Sequence, residues 1–212
     1  MSEGYKQDCT RIFLVRHGKT VEEEMPRCCG WIEVELSPEG ETQMRCVADR
    51  LSGEPVTAVY SSDLGRALKS ARIIAQPHKL EAIELPELRE INFGRFDGLT
   101  YEEIAEQFPQ DYREFMERPT QYRFPQGESY SDLKARLLPV FQAILSKHSQ
   151  QTVVIVAHGG VNRMILSYAL GMSSDNLFRI DQPHGCLSLI EFFGDTPVVR
   201  FINESYTSRN VE

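Results

Sequence analysis

The sequence predicts an α/β fold, namely a three-layer αβα sandwich with a mostly parallel sheet and helices on both faces. Short apolar runs of strand length alternate along the chain with longer stretches of helical periodicity, as in such sheets. The run Val153–Ala157 is apolar at every position, which is typical of a strand buried on both faces. The 212 residues are expected to form a single domain, and the stretch at roughly 90–128, which lacks the alternation, is expected to form a small helical lobe.

The first half of the chain carries three strand signals and two helix signals. In order, they predict a strand at 12–16, a helix at 38–51, a strand at 56–60, a helix to about 75 and a short strand at 83–85. Ser37 and Pro38 form a helix start, because serine caps unpaired amides and proline fits the first helical position. Gly53 ends that helix, and Ser61 or Ser62 is expected to cap the next one.

The second half begins with helical patterns and closes with strands. It predicts helical segments at 100–117 and 129–147, a strand at 153–157, a helix at 161–170 and strands at 187–192 and 198–202. The first helical segment is interrupted at Pro109, while the second continues through Pro139.

Composition and charge narrow the class of protein. The formal net charge of −8 argues against a nucleic-acid-binding surface, so a phosphate site would be a local positive pocket. No apolar run approaches the roughly 20 residues that span a bilayer, and Met1–Thr10 lacks the apolar core of a signal peptide. The 5 cysteines form no disulfide framework and include no CxxC pair. We therefore expect a cytoplasmic protein that binds neither membrane nor nucleic acid.

Two histidines directly follow predicted buried strands and precede glycines. Arg16 and His17 end the first strand, and His158 ends the strand at 153–157. Ligands of parallel sheets collect beyond the carboxyl ends of strands, so neighbouring histidine strands would bring the two imidazoles together. Arg66 lies just beyond the end of a third strand. Two histidines and two arginines at one sheet edge predict a site for a phosphoryl group.

This set of residues suits the chemistry of a phosphate monoester. An arginine fork can grip two oxygens of the dianion at once, which a lysine cannot do. A neutral imidazole can attack phosphorus to form a phosphohistidine, and clustered arginines disfavour protonation of that imidazole. A carboxyl near the bound dianion can protonate the leaving oxygen and later accept a proton from water. Because arginines neutralise the charge in this scheme, neither a metal ion nor another cofactor is expected.

Several ordered segments resemble the motifs of one known family. Leu14–Thr20 resembles the LxRHGxT signature of the histidine phosphatase superfamily, also called the phosphoglycerate mutase-like family. The resemblance continues through 30–40 (GxxDxxLxxxG), 60–67 (SSxLxRA), 88–98 (LxExxxGxxEG), 125–129 (PxGES) and 156–160 (VxHGG). Ordered motifs are together far more specific than any one of them. They imply the phosphoglycerate mutase-like fold, with the stretch at 90–128 as a lobe or lid over the site.

The resemblance also implies roles for individual residues. His17 corresponds to the nucleophile, and Arg16, Arg66 and His158 correspond to the residues that complete the phosphate pocket. Glu90 corresponds to the proton donor and acceptor, which composition alone could not distinguish among the 31 acidic residues. The other positions where family members contact phosphate or substrate are Thr20, Cys29, Gly30 and the backbone of Gly159. His184 precedes Gly185, so it is either a turn residue or part of the pocket.

Two departures from the family pattern concern substrate choice. Family members often carry asparagine six residues after the nucleophile, where this chain has Glu23 within the acidic run Glu22–Glu24. These carboxylates either belong to a solvated loop or select a substrate with a polar or cationic portion. Cofactor-dependent mutases are longer and carry a paired Arg-Arg, which is absent between Glu90 and Glu128.

Within the superfamily, segments 94–98 and 124–129 most resemble the α-ribazole-5′-phosphate phosphatases of cobalamin assembly. Aromatic side chains that either stack on a flat base or pack in the core are Trp31, Phe93, Phe96, Tyr101 and Tyr122. A broad-specificity sugar or phosphoglycerate phosphatase, a phosphoglycerate mutase and a catalytically silent phosphate-binding module stay open as alternatives. The expected partner is a small-molecule phosphate monoester, and both a monomer and a homodimer fit the sequence.

Overall fold

The computed structural model describes residues 9–21 and 27–206. Within them, six strands form one sheet in the order β3-β2-β4-β1-β5-β6. The strands are β1 Thr10–Arg16, β2 Val56–Ser61, β3 Ala82–Glu84, β4 Thr152–Ala157, β5 Leu187–Phe193 and β6 Thr196–Glu204. Every predicted strand is therefore present, and the sequence pattern misjudges only the ends.

The sheet is mostly parallel, as predicted, with an antiparallel extension on one side. Strands β3, β2, β4 and β1 run parallel, and Arg16 pairs with Ala157 at the carboxyl ends of β1 and β4. Strand β5 runs antiparallel to β1, and β6 runs antiparallel to β5. A turn at Gly194, whose φ is +61°, joins β5 to β6, and so short a connection permits only antiparallel pairing. The two histidine-bearing strands are neighbours, as the site prediction requires.

Helices cover both faces of the sheet. They are α1 Pro38–Leu51, α2 Gly65–Ala75, α3 Tyr101–Gln107, α4 Pro109–Glu117, α5 Tyr130–Lys147 and α6 Gly159–Ala169. Short 3-10 turns lie at Gln76–His78, Pro86–Leu88, Gly94–Phe96 and Ser174–Arg179. The break between α3 and α4 falls at Phe108 and Pro109, which confirms the interruption predicted from the proline. None of the helices in the described ranges is long and apolar enough to cross a bilayer.

The side chains of β1 divide between two apolar clusters, which produces the three layers. Phe13 and Val15 pack with α1 and α2 on one face. Ile12 and Leu14 pack on the other face with α5, α6 and the aromatic side chains of residues 93–124. This alternation follows from the two-residue period of a strand that is buried on both faces. The predicted αβα sandwich is confirmed.

One predicted helix start is wrong. Leu64 is the N-cap of α2 and makes no side-chain cap hydrogen bond. The Ser61 hydroxyl donates instead to the carbonyl of Ser62, and the Ser62 hydroxyl is paired with His158. The Ser62 hydroxyl therefore binds a residue far away in the sequence and does not cap the helix that follows it.

Two further predictions are not tested by the structure. The acidic run Glu22–Glu24 lies outside the described residues, and the single-domain organisation with a lobe at 90–128 stays a prediction.

Candidate active site

The carboxyl ends of β1 and β4 bring the two strand-ending histidines together. The His17 amide donates to the Ala157 carbonyl oxygen at 3.0 Å, which extends the parallel ladder by one residue. The centroids of the His17 and His158 rings lie 5.1 Å apart. Both side chains are buried, with 4 % and 1 % of their surface exposed. The parallel pairing of their strands thus places two imidazoles at one sheet edge.

Hydrogen bonding sets the orientation of the His17 ring. Its Nδ1 lies 2.8 Å from the Gly18 carbonyl oxygen, and because a carbonyl oxygen only accepts, Nδ1 carries the proton. Nε2 then has a free lone pair. Burial lowers the pKa of His17 well below its ordinary value, and electrostatic interactions with the neighbouring histidines, Arg66 and Arg16 lower it further. At neutral pH the ring is therefore an uncharged base.

His158 is anchored on one side and unpaired on the other. Its Nε2 lies 2.7 Å from the Ser62 hydroxyl oxygen. Its Nδ1 is buried and has no hydrogen-bond partner within residues 9–21 and 27–206. Burial lowers the pKa of His158 well below its ordinary value, with Arg66 and Arg16 as the next contributions. A hydroxyl that donates to Nε2 leaves a proton on Nδ1, so that Nδ1 can donate to an anion.

Arg66 has two structural roles at the site. Its Nη2 donates to the carbonyls of Cys29 and Gly30 at 3.0 and 2.6 Å, and Nη1 donates to that of Ile32 at 2.9 Å. Asp97 completes this support by accepting from the amides of Gly30 at 2.6 Å and of the next residue at 2.8 Å. The buried Nε of Arg66 has no partner among the described residues. The guanidinium therefore fixes the loop at 29–32 and retains one donor for a ligand.

A turn after the 3-10 helix at 174–179 packs against the nucleophile candidate. Arg16 Nη1 donates to the Gln182 carbonyl, and the Gly185 amide donates to the His17 carbonyl at 3.1 Å. The centroid of the His184 ring lies 5.0 Å from that of His17. Burial, followed by the charges of two arginines and a lysine, lowers the pKa of His184 to about 3. His184 is thus both a turn residue and part of the site, and the sequence had left these alternatives open.

The Glu90 carboxylate lies at the N-terminus of α6. Its two oxygens accept from the Gly160 amide at 3.1 and 3.0 Å, and one also accepts from the Ile91 amide at 2.9 Å. The positive end of a helix dipole favours an anion at this position. A Cβ atom on Gly160 would lie 2.4 Å from Glu90 Oε1, so the contact requires glycine.

Arg136 on α5 fixes the backbone that carries Glu90. Its guanidinium donates to the carbonyls of Glu87 and Glu90 at 2.6 and 2.8 Å. It also forms an ion pair with Glu128, in which the shortest contact, from Nε, is 2.7 Å. Glu128 in turn accepts from the Asn92 amide at 2.9 Å. Glu128, in the PxGES-like segment at 125–129, thus helps to hold the loop at 87–92 in place.

A cavity of about 270 Å³ joins these elements. It is lined by Arg16, His17, Thr20, Arg27, Cys28, Cys29, Glu90, Phe93, Tyr101, Phe115, Tyr130, Gly159, Gly160, Arg163, Phe178 and His184. A larger cavity of about 610 Å³ lies at the amino end of β1, and no arginine, lysine or histidine lines it. The smaller cavity is therefore the candidate anion site.

Comparison with known proteins agrees with the motifs. Residues 12–205 match the model of the histidine phosphatase superfamily, branch 1. The chain belongs to this superfamily. Phosphoserine phosphatase 1 of Hydrogenobacter thermophilus is 30 % identical over 85 % of each chain. A metal-independent phosphoserine phosphatase of Arabidopsis thaliana is 40 % identical over 76 % of this chain and 68 % of that protein.

Solved structures of the superfamily share the fold. Bacillus stearothermophilus YhfR superimposes with a TM-score of 0.86 at 30 % identity, covering 94 % of this chain and 98 % of that one. The α-ribazole phosphatase of Shigella flexneri superimposes with a TM-score of 0.84 at 25 % identity, covering 94 % and 100 %. The protein is accordingly a phosphatase that acts on phosphoric monoesters, and its substrate is a small-molecule phosphate.

In this histidine phosphatase, some predicted contact residues line the cavity and others do not. Thr20, Cys29 and Gly159 line it, whereas Gly30 lies behind the wall, between Arg66 and Asp97. Of the predicted aromatics, Phe93 and Tyr101 line it. The others do not line it: Phe96 is fully buried in the core, Tyr122 pairs with Asp111, and the Trp31 indole donates to the Glu90 carbonyl.

Sequence reasoning missed several residues of this cavity wall, among them Arg27, Cys28, Phe115, Tyr130, Arg163 and Phe178. The last four come from helices or 3-10 turns whose spatial neighbours no local pattern reveals. Arg163 did carry a weak signal, because it lies one helical turn after Gly159 in α6 and thus on the same face as the glycines.

Proposed function

We propose that the protein hydrolyses phosphate monoesters through a phosphohistidine formed on His17. The observation that carries this proposal is the His17 ring itself. Its Nδ1 is occupied by the Gly18 carbonyl at 2.8 Å, so Nε2 holds the lone pair at the end of β1. The ring is buried beside arginines, which keeps it neutral and nucleophilic.

In the binding step, the phosphate dianion enters a pocket of prearranged donors. Arg16 supplies charge, while Arg66 Nε and His158 Nδ1 are buried donors that lack partners among the described residues. An unsatisfied buried donor costs about 1–3 kcal/mol, which an anion at this place would recover. Donors that are already in place need no reorganisation as charge spreads over the equatorial oxygens.

In the first chemical step, Nε2 of His17 attacks phosphorus while the bond from phosphorus to the ester oxygen breaks. The electron pair of that bond moves to the leaving oxygen, and the Glu90 carboxyl donates its proton there. Glu90 is the one carboxylic acid among the described residues that line the cavity, so we assign it as the general acid. The products of this step are the free alcohol and a phosphohistidine.

In the second step, water attacks the phosphohistidine. The Glu90 carboxylate accepts a proton from the water, the P–N bond breaks, and its electron pair returns to His17 Nε2. Inorganic phosphate leaves, and Glu90 is again protonated for the next cycle. The arginines and His158 stabilise the charge in both steps, and the scheme uses only residues of this chain.

A labelling experiment tests this proposal. Wild-type protein quenched in alkaline detergent after mixing with ³²P-labelled substrate should retain label that is stable in alkali and lost in acid, and His17→Ala should retain none and lose turnover. His78→Ala, in the 3-10 turn after α2 and outside the cavity, is the matched control. Unchanged turnover in His17→Ala would refute the nucleophile assignment. Tight phosphate binding without turnover in wild type would instead indicate a silent binding module.

We propose two substrates, which differ in the leaving group that the cavity would hold. The first is α-ribazole 5′-phosphate of cobalamin assembly, supported by the likeness of segments 94–98 and 124–129 and by the aromatic side chains of Phe93 and Tyr101. The second is phosphoserine, supported by the curated relatives that carry this activity in their names. A substrate panel, run with and without a bisphosphate primer, separates both from a primed mutase and from a broad-specificity sugar phosphatase.

The wider organisation is part of the same proposal. We take the chain as one catalytic domain in which residues 90–128 form a lobe over the site, since Phe93, Tyr101 and Phe115 of this stretch line the cavity. A reduced, cytoplasmic setting suits the thiols at Cys28 and Cys29 beside the cavity. Either a monomer or a homodimer is compatible with a site built from one chain.

A further inference from the structure

We propose that Arg163 is a specificity-determining residue that binds a carboxylate on the leaving group of the substrate. This inference rests on the proposed function and deepens it: the substrate class becomes phosphorylated hydroxy acids and amino acids. Phosphoserine belongs to this class, and α-ribazole 5′-phosphate, which has no carboxylate, does not. Four features of the structure carry the inference.

The first feature is that the Arg163 guanidinium is held in a fixed orientation. Its Nε donates to the Ile180 carbonyl at 2.8 Å. Its Cζ lies 5.5 Å from the centroid of the Phe178 ring, within the range of a cation–π contact. Only 18 % of the side-chain surface is exposed. A ligand that binds here therefore finds an ordered fork and does not need to order a flexible side chain.

The second feature is that the outer edge of this fork has no hydrogen bond within the described ranges. Nη1 and Nη2 donate to no described residue, and Nε makes the one hydrogen bond of this side chain there. The nearest carboxylate, on Asp181, lies 4.0 Å from Nη2, and 86 % of its side chain is exposed to water. An ion pair of that length and exposure contributes little. Both terminal nitrogens are thus free to bind a ligand in the cavity that Arg163 lines.

The third feature is the proximity of a second guanidinium. A Cβ atom placed on Gly159 would lie 3.0 Å from Arg163 Nη1 and 3.5 Å from Arg16 Cζ. Both guanidiniums therefore lie against the same face of Gly159 at the start of α6, where the helix dipole adds positive potential. One phosphate can satisfy Arg16. The second positive group, in a partly desolvated place, requires its own anion.

The fourth feature is the side of the cavity on which Arg163 lies. The Phe178 ring, over which the Arg163 guanidinium packs, lies 5.6 Å from the Tyr130 ring between centroids. A Cβ atom on Gly160 would lie 3.6 Å from Tyr130 Cε1 and 2.4 Å from Glu90 Oε1, so the Tyr130 ring adjoins the Glu90 carboxylate. Glu90 marks the place of the leaving oxygen in the proposed mechanism. Arg163 therefore lies next to the proposed place of the leaving oxygen, and we assign it to the carbon portion of the substrate.

These features together favour a carboxylate over other acceptors. A carboxylate presents two coplanar oxygens that match the two free nitrogens of the guanidinium, and the pair is stronger than a contact to a neutral hydroxyl. A ribose hydroxyl would leave the charge of Arg163 uncompensated.

A matched pair of substrates tests the inference. Phosphoserine and phosphoethanolamine share the phosphate, the two-carbon chain and the ammonium group, and they differ in the carboxylate alone. We expect the wild-type ratio of their kcat/KM values to favour phosphoserine by at least tenfold. Arg163→Gln should lower this ratio by about ten- to hundredfold, the loss expected for a charge-assisted hydrogen-bonded pair. Arg163→Lys, which keeps the charge but lacks the fork, should lie between the two.

Controls make each outcome decisive. Arg179→Gln removes an exposed charge from the neighbouring 3-10 turn, and its ratio should equal that of the wild type. Thermal melting checks the folding of Arg163→Gln, and if that variant is unfolded, the ratio in Arg163→Lys decides. Equal loss for both substrates, or a wild-type preference for α-ribazole 5′-phosphate over phosphoserine, would overturn the inference. Absence of wild-type activity on every monoester, p-nitrophenyl phosphate included, would refute the proposed function itself.

Discussion

Gly160→Ala tests the role of Glu90 by moving its carboxylate and leaving it in the chain. The new Cβ atom would lie 2.4 Å from Oε1 and 3.3 Å from Cδ, whereas ordinary contact begins near 3.4 Å. The carboxylate must therefore shift by about 1 Å, and it loses the one bifurcated hydrogen bond that the Gly160 amide donates to its two oxygens. A misplacement of that size costs on the order of a hundredfold in rate when the displaced group transfers a proton.

The fold should survive this substitution. Alanine in a helix is more favourable than glycine by about 0.5–1 kcal/mol, and a lost hydrogen bond costs about 1 kcal/mol, so the two effects nearly cancel. We expect a melting temperature within a few degrees of the wild type. Gly53→Ala, where no heavy atom lies within 4 Å of the new Cβ, is the matched control.

The leaving group distinguishes a proton-transfer role from a general disturbance. For an alkyl phosphate, kcat/KM should fall about a hundredfold in Gly160→Ala, because the alkoxide needs a proton. For p-nitrophenyl phosphate, kcat/KM should fall only a few-fold, because nitrophenolate leaves without needing a proton. The value of kcat/KM reports only the steps up to the first irreversible one, so the later hydrolysis of the phosphohistidine does not affect it. Equal losses for the two substrates, or no loss for either, would refute the assignment of Glu90 as the acid.

Three further predictions follow from the buried contacts. Ser62→Ala leaves Nε2 of His158 buried and unpaired, so the free energy of unfolding in urea should fall by about 1–3 kcal/mol and vanadate should bind more weakly. Arg66→Lys cannot reach three carbonyls at once, so kcat/KM should fall at least about a hundredfold, measured with p-nitrophenyl phosphate. Burial lowers the pKa of both His17 and His158, so below about pH 6.5 the unfolded state binds more protons and stability falls, by up to about 1.4 kcal/mol per histidine and pH unit. Urea unfolding at pH 7.5 and 5.0 measures this loss, which His17→Asn should reduce; an unchanged pH dependence in that variant would contradict it.

The elements of this fold could be predicted because local signals and tertiary packing agree in them. Proline and serine mark the start of α1 at the residues where the helix begins, and the β-branched run of β4 is buried at every position. Strand order could not be predicted, yet one consequence of it could. The sequence predicts that the histidines after β1 and β4 meet if these two strands are neighbours; they are neighbours, and the rings lie 5.1 Å apart.

The remainder of the site depends on contacts between segments far apart in the chain. Arg163 and Arg136 are helical residues with no distinctive sequence context, and their importance comes from neighbours 17 and 46 residues away. Ser62 has the sequence context of a helix cap, but its hydroxyl pairs with His158, 96 residues further on. A local sequence pattern carries no information about partners this distant in the chain. Sequence analysis therefore predicts only the commonest local role of such side chains, such as helix capping for a serine.

The position of β1 between β4 and β5 has a consequence for local unfolding. The nucleophile candidate follows one of the two central strands of the sheet, whose amides should exchange with solvent only when the whole molecule unfolds. Glu90 lies instead between two 3-10 turns and depends on Arg136 for its position. Mild denaturant should therefore release the proton-transfer group while the nucleophile stays in place. Under those conditions, with p-nitrophenyl phosphate as donor, the first step continues while the second stalls, and the phosphoenzyme accumulates.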